Sequence, residues 1–242
     1  MTTNNEPEQT CPICGGSTWI SFKDDKGFWF TKACKCRSVE IAKTRIKASG
    51  ISKIFYAKNF ENFQDYSDRN LARMKETARD YATKFPVIKD SEHNSLLLMG
   101  QSGSGKTHLT MAVANAIMEQ HMIGVTYMEY REEVTKLKQL VNAYDEYTRE
   151  IERMKRAECL LIDDFLKGKI TDSDINVVFD IVNYRYFNCL PMIISTEKTI
   201  SELQDYDEAV ASRILERATG HIIRIEGKSY NHRFRSVSKS AN

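Results

Sequence analysis

The sequence predicts an α/β fold, a five-stranded parallel sheet with a phosphate-binding loop after its first strand, preceded by a small zinc-binding domain. Three stretches carry that expectation. Leu96 to Thr107 reads Leu-Leu-Leu-Met-Gly-Gln-Ser-Gly-Ser-Gly-Lys-Thr, an apolar run, a glycine-rich turn, then a helical pattern continuing to Glu119. That is G-x-x-x-x-G-K-[ST] with a strand before it and a helix after it. Some sixty residues later Cys159-Leu-Leu-Ile-Asp163-Asp164 is a buried-strand pattern that ends in two carboxylates. Near the start, Cys11-Pro-Ile-Cys14 and Cys34-Lys-Cys36 form two cysteine pairs.

Composition bounds the alternatives. With 242 residues, 41% hydrophobic and 28% charged, the chain can bury one sizeable core and a satellite module. No apolar stretch is long enough for a membrane span, and polar, acidic Met1 to Thr10 reads as a disordered lead rather than a signal peptide. A cytoplasmic protein is expected, in which six cysteines serve as metal ligands or free thiols. The net charge of +2 is uneven: residues 1–60 hold ten basic and five acidic side chains, so the excess of positive charge lies at the N-terminal end. A basic segment on a near-neutral body is compatible with nucleic-acid contact and equally with a solvated surface.

The loop chemistry explains its residue types. Gly100, Gly103 and Gly105 allow positive φ and let backbone N–H groups approach phosphate oxygens. Gln101, Ser102 and Ser104 complete the cradle, and His108 follows Lys106 and Thr107 in the first helical turn, whose dipole adds positive charge. Lys106 is placed to reach the β- and γ-phosphates of ATP, and Thr107 to offer its hydroxyl to Mg²⁺. Asp163 is the matching Mg²⁺ residue at the end of the third strand, and Asp164 the base that polarises the attacking water.

Taken in order, Cys11, Cys14, Cys34 and Cys36 bracket nineteen residues that read as a β-hairpin turning at Asp25-Lys26-Gly27 and carrying a four-thiolate Zn²⁺ site. Arg37 to Ser49 has helix composition and stops at Gly50. A boundary is expected there, with residues 1–50 as the zinc domain and 51–242 as the nucleotide domain. Ile51 to Phe63 is aromatic-rich without regular period and is expected to pack on the nucleotide domain, near the base. Ser67 to Phe85 reads as an amphipathic helix stopped by Pro86. Gly124 to Tyr130 is the second strand. Arg131 to Arg156 is helical with an interruption near 142–145, and Asp172 to Phe187 is helical. Pro191 to Glu197 is the fourth strand, Asp207 to Ala218 a helix, His221 to Ile225 the last strand, and the basic end frays after Arg235. Cys159 and Cys189 are read as small core residues.

The order of these motifs resembles an AAA+ ATPase, and more narrowly the bacterial replicative-helicase loaders of the DnaC/DnaI type, especially those of phages of Gram-positive bacteria. The resemblance spans nearly the whole chain: the cysteine-bearing start, Ile51 to Phe63, the phosphate loop, Leu-Ile-Asp-Asp, Ile-Ile-Ser-Thr-Glu, Ala-Ser-Arg-Ile-Leu-Glu-Arg and Gly-Lys-Ser-Tyr. It implies an ATPase whose zinc domain engages a host hexameric replicative helicase; the short side chain of Asp164 adds the expectation of slow, switch-like turnover. The ATPase domain would self-associate and touch single-stranded DNA. The resemblance also implies an arginine, Arg213 or Arg217, reaching the neighbouring protomer's γ-phosphate, and Arg233 as a second sensor. Two positions depart from the family: Ser195-Thr196-Glu197 stands where Thr-Ser-Asn is usual, and Asp164 where many members carry Glu. Three other classes fit the phosphate loop: a transposition helper ATPase, a small-molecule P-loop kinase, and a zinc-bearing scaffold that binds nucleotide without hydrolysing it. A kinase would need an arginine-rich lid, and Phe165 to Asp174 contains no arginine.

Overall fold

The computed structural model of the chain describes residues 11–48 and 50–225. Residues 1–10, the basic end after 225 and the Arg233 expectation lie outside the described residues.

The α/β body is built on alternation. Strands β3 (Leu96–Gly100), β4 (Val125–Glu129), β5 (Cys159–Phe165), β6 (Met192–Thr196) and β7 (Ile222–Ile225) form one parallel sheet in the order β4-β5-β6-β3-β7. Because successive side chains point to opposite faces, a strand buried on both sides must be apolar throughout. In β3, Leu96 and Leu98 enter one core and Leu97 and Met99 the other; in β5, Leu161 and Leu160 divide the same way.

One face is covered by α1 (Arg37–Ala48), α2 (Ser52–Tyr56), α3 (Arg69–Ile88) and α4 (Lys106–His121). The other is covered by α5 (Tyr130–Gln139), α6 (Tyr144–Lys155), α7 (Asp172–Phe187), α8 (Ile200–Tyr206) and α9 (Glu208–Arg217). The break between α5 and α6 falls at 140–143, close to where the sequence marks it. No helix among the described residues is long and apolar enough to cross a membrane.

Several elements depart from the sequence expectation. Helix α3 runs through Pro86 to Ile88. Proline leaves the Ala82 carbonyl without its helical donor, and His121 Nε2 supplies one at 2.9 Å. Helix α8 is an addition, opened by a reciprocal capping box between Thr199 and Glu202. Cys159 is buried as expected, whereas Cys189 is exposed at a left-handed turn with φ +51° after α7. Arg185, fully buried, donates to the carbonyls of Met154, Lys155, Ala157 and Pro191 and so ties the end of α6 to the entries of β5 and β6. Burial lowers its pKa to about 10.

The N-terminal module is an antiparallel hairpin, β1 (Trp19–Lys23) and β2 (Trp29–Ala33), held at its base by the cysteines. Residue 50 is not where packing changes. Val39, Ala42 and Ile46 of α1 are buried in the same core as Leu96, Val125 and Leu161, so α1 packs with the nucleotide domain, whereas the hairpin before Arg37 contributes no residue to that core. At Gly124, which leads into β4, an added Cβ would lie 2.6 Å from the Ser38 carbonyl oxygen and 2.7 Å from its carbon. Backbone cannot yield as a side-chain tip can. Gly124→Ala is therefore expected to destabilise the protein by about 1–3 kcal/mol, measured as a lower midpoint in chemical denaturation with an unchanged m-value.

Candidate nucleotide site

The loop between β3 and α4 sits where two glycines are obligatory. Gly100, at φ +153°, has the Ile225 carbonyl oxygen 2.6 Å from any added Cβ, and Gly105, at φ +92°, has Phe63 Cε2 at 2.6 Å. The Phe63 ring thus lies on the loop itself, and His108 stands edge-on to it, ring centroids 5.3 Å apart. His108 Nε2 donates to the Asn59 carbonyl at 2.9 Å. What His108 has left to offer a phosphate is its backbone N–H, not its ring. Asn115 donates to the carbonyls of Phe55 and Lys58, fastening the aromatic segment along α4.

Lys106 is buried, and its Nζ donates to the Gln101 carbonyl at 2.9 Å. Burial holds its pKa below the usual lysine value, opposed by the carboxylates of Glu197, Asp164 and Asp163. Ser104 Oγ is buried without a partner among the described residues. A buried ammonium and an orphaned hydroxyl on a glycine turn fit a polyanion such as a triphosphate.

The two motifs meet. Thr107 Oγ1 donates to Asp163 Oδ1 at 3.0 Å, and Ser195 Oγ donates to the same oxygen at 2.5 Å. Burial pushes the Asp163 carboxyl above its ordinary value, reinforced by Asp164 and opposed by the two hydroxyls. A divalent cation is the natural remedy for such a buried carboxylate, with Thr107 beside it as a second oxygen ligand. Asp164 follows at φ +54°, where the β5–β6 register shifts between Ile162 and Phe165. Such a bulge re-aims a side chain; here the Asp164 N–H donates to Ser195 Oγ at 2.9 Å. Its Oδ2 pairs with Lys167 Nζ at 2.5 Å, and the same ammonium lies 3.8 Å from Glu197 Oε1.

Ser195 is the residue that sequence reasoning treated only as part of a departure. It holds the Asp163 carboxylate and the Asp164 backbone N–H, while Thr196 turns away to the Phe165 carbonyl at 2.8 Å. Its signal was a hydroxyl inside an otherwise apolar strand. The two arginines separate. Arg217 is buried and donates to the carbonyls of Glu92 (2.9 Å) and Tyr186 (2.5 Å) and to Cys189 Sγ (3.3 Å), so its guanidinium is committed within its own chain. Arg213 is half-buried, donates to the Ala209 carbonyl and lies over the rings of Phe179, Tyr186 and Phe187, beside Ser212 and Glu216 on the outer face of α9. Neither arginine contacts Lys106 or Asp163 among the described residues.

The four N-terminal thiols also converge, all Sγ atoms lying within 4.8 Å of one another. Cys11 and Cys34 are 3.8 Å apart and Cys14 and Cys36 3.4 Å, none in a disulfide. Tetrahedral zinc with bonds of about 2.3 Å needs sulfurs about 3.8 Å apart, so the donor set fits. Burial favours the neutral thiol at Cys14, yet hydrogen bonds from Cys36 and from the backbone of Gly16 and Thr18 bring its pKa down to about 6.

Comparison with known proteins agrees with this geometry. Residues 19–238 match the family model described as IstB-like ATP binding protein. The chain belongs to that family. It is 35% identical over 212 residues to the phage-like element PBSX protein XkdC of Bacillus subtilis (strain 168), covering 84% of this chain and 79% of that one. Its fold resembles the crystal structure of the DnaC helicase loader, with a TM-score of 0.58 at 23% identity over 72% of this chain and 99% of the other. It also resembles the replication initiator DnaA bound to AMPPCP and single-stranded DNA, with a TM-score of 0.56 at 22% identity over 76% of this chain and 54% of that one. The fold is AAA+ P-loop-like, and the family is described as ATP binding.

The buried Asp163 makes a pH prediction. Its folded pKa is raised, so the folded state holds a proton that the unfolded state has released, and stability without metal falls as pH rises from about 4 towards the shifted pKa. Asp163→Asn keeps the acceptor oxygen and removes the charge. In chelator, the melting midpoint of Asp163→Asn relative to that of the unmodified protein should rise as pH rises from about 4, the other titrating groups being common to both proteins. Parallel curves would mean that Asp163 is ionised throughout.

Proposed function

We propose that the protein is an ATP-dependent loader of a replicative DNA helicase, acting as a slow nucleotide switch. The observation that carries this reading is the 3.0 Å bond between Thr107 and Asp163, which brings a phosphate loop and an acidic strand end into one site. The likeness to a helicase loader and to a phage-element protein directs that site towards replication.

In this reading the loop N–H groups and Lys106 would bind the β- and γ-phosphates, and Thr107 and Asp163 would hold Mg²⁺. The metal would neutralise charge developing on the transferring phosphoryl. Asp164 orients and deprotonates the attacking water, giving ADP and phosphate; Ser195 holds Asp163 and the Asp164 backbone in register. The short Asp164 side chain, paired with Lys167, suits a slow reaction. Arg213 is the arginine assigned to the adjoining protomer's γ-phosphate, since Arg217 is occupied. The N-terminal module, with Zn²⁺ on Cys11, Cys14, Cys34 and Cys36, engages the helicase ring, and the ATPase domain contacts single-stranded DNA. A transposition helper shares the α/β core and is the second reading, favoured by the family match; the four-thiol module favours the loader.

Lys106→Ala should lower ATP turnover by at least about 100-fold, measured as phosphate release; unchanged turnover would remove the site assignment. Mixing Arg213→Ala protomers with Lys106→Ala protomers should restore partial activity, because one mixed interface keeps both an intact loop and an intact arginine. No restoration would place the arginine in cis. Removal of residues 1–36, which spares α1, should abolish capture of the hexameric helicase and leave ATP binding intact. Capture that survives the truncation would assign helicase binding to the ATPase domain.

A further inference from the structure

The hairpin carries more exposed aromatic surface than a structural zinc module needs. Every position of β2 is exposed, and so are Trp19, Phe22 and Phe28. Its two faces differ in chemistry. Trp19, Ser21 and Lys23 alternate along one face of β1, and the register sets Ala33, Thr31 and Trp29 opposite them. On the other face Ile20 and Phe22 oppose Lys32 and Phe30, with the phenyl rings stacked at 5.9 Å.

The first face is not a continuous apolar patch. Its two indoles are separated by hydroxyls, and each has a cation against it: Arg37 lies 4.1 Å from the Trp19 ring and Lys23 lies 5.0 Å from the Trp29 ring. Trp19 is 46% and Trp29 69% exposed, so neither ring is consumed by the fold. No carboxylate occupies a strand position on this face. The nearby Asp24 carboxylate is turned into the hairpin loop, accepting from the N–H groups of Lys26 at 3.0 Å and Phe28 at 2.8 Å. Aromatic planes interleaved with basic side chains are what a flexible polyanion with flat bases requires. Four residues along a strand separate the indoles by about 14 Å, a span of about four stacked nucleotides. On the opposite face Phe22 and Phe30 are stacked on each other and Lys32 lies 5.5 Å from the Phe22 ring, so what sets the Trp19/Trp29 face apart is its two separated, larger indole planes.

We propose that the Trp19/Trp29 face of the hairpin is a stacking site for single-stranded DNA, distinct from the ATPase domain and from the Phe22/Phe30 face. The choice of DNA over RNA rests on the replication reading above; the stacking chemistry does not, and its readout is independent of ATP turnover.

The chain contains only two tryptophans, and both stand on this face. Tryptophan emission, excited at the red edge where the eleven tyrosines do not absorb, therefore reports on the hairpin alone. Titrating the full-length, zinc-replete protein with a dT oligonucleotide should quench tryptophan emission to saturation, with an affinity that falls as salt rises. Trp29→Ala should weaken binding of a labelled dT strand about tenfold, whereas Phe22→Ala should leave it unchanged at equal zinc content. A dT strand that binds by anisotropy without quenching, or a Trp29→Ala protein of undiminished affinity, would place the DNA elsewhere and overturn the proposal. So would preference for a U oligonucleotide, or emission that responds only to a hexameric helicase, which would make this face a protein contact.

Discussion

One carboxylate oxygen, Asp163 Oδ1, receives two hydroxyls, from Thr107 at the start of α4 and from Ser195 in β6. Three elements that are distant in sequence are thereby fixed to one point at the carboxyl ends of the parallel strands, where ligands bind in open α/β sheets. Burying a carboxylate is costly unless it is hydrogen-bonded, and two hydroxyls offset part of that cost. The arrangement also sets the neighbours. Thr107 positions the helix start and with it the phosphate loop, and Ser195 receives the Asp164 N–H and so holds the bulge that turns Asp164 outward.

The N-terminal module is mechanically continuous with this site. Arg37 donates to Thr18 and lies over Trp19 at the base of the hairpin, and it is also the first residue of α1. Helix α1 is seated on the sheet at the glycine before β4, and the segment that follows it ends with Phe63 resting on Gly105 of the loop. Packed backbone and aromatic contacts thus lie at both the base of the hairpin and the phosphate loop.

The departures in the fold differ in how far along the chain their causes lie. Helix α3 crosses Pro86 because His121, far along the chain, takes over the abandoned carbonyl. Cys189 is exposed because the chain reverses there through a left-handed residue, and Arg217 then uses its sulfur as an acceptor. Helix α8 was readable locally, since Thr199-Ile-Ser-Glu202 is a capping box. The other two depended on partners no local pattern reveals.

Sequence by itself determined the architecture and the chemistry of the site. Runs such as Leu96–Met99 must be buried on both faces, glycines at 100, 103 and 105 must surround a close approach, and Asp163-Asp164 must end a strand, because period, positive φ and charge burial are local constraints. The paired cysteines belong with these. Only the tertiary structure decided how roles were divided among equivalent candidates. Arg213 and Arg217 stand four residues apart on one helix and look alike in sequence; burial against Tyr186 and Glu92 commits one to its own chain and leaves the other at the surface. Ser195, the place of α1 in the core and the two chemically different faces of the hairpin were likewise settled by which distant backbone came to lie beside them.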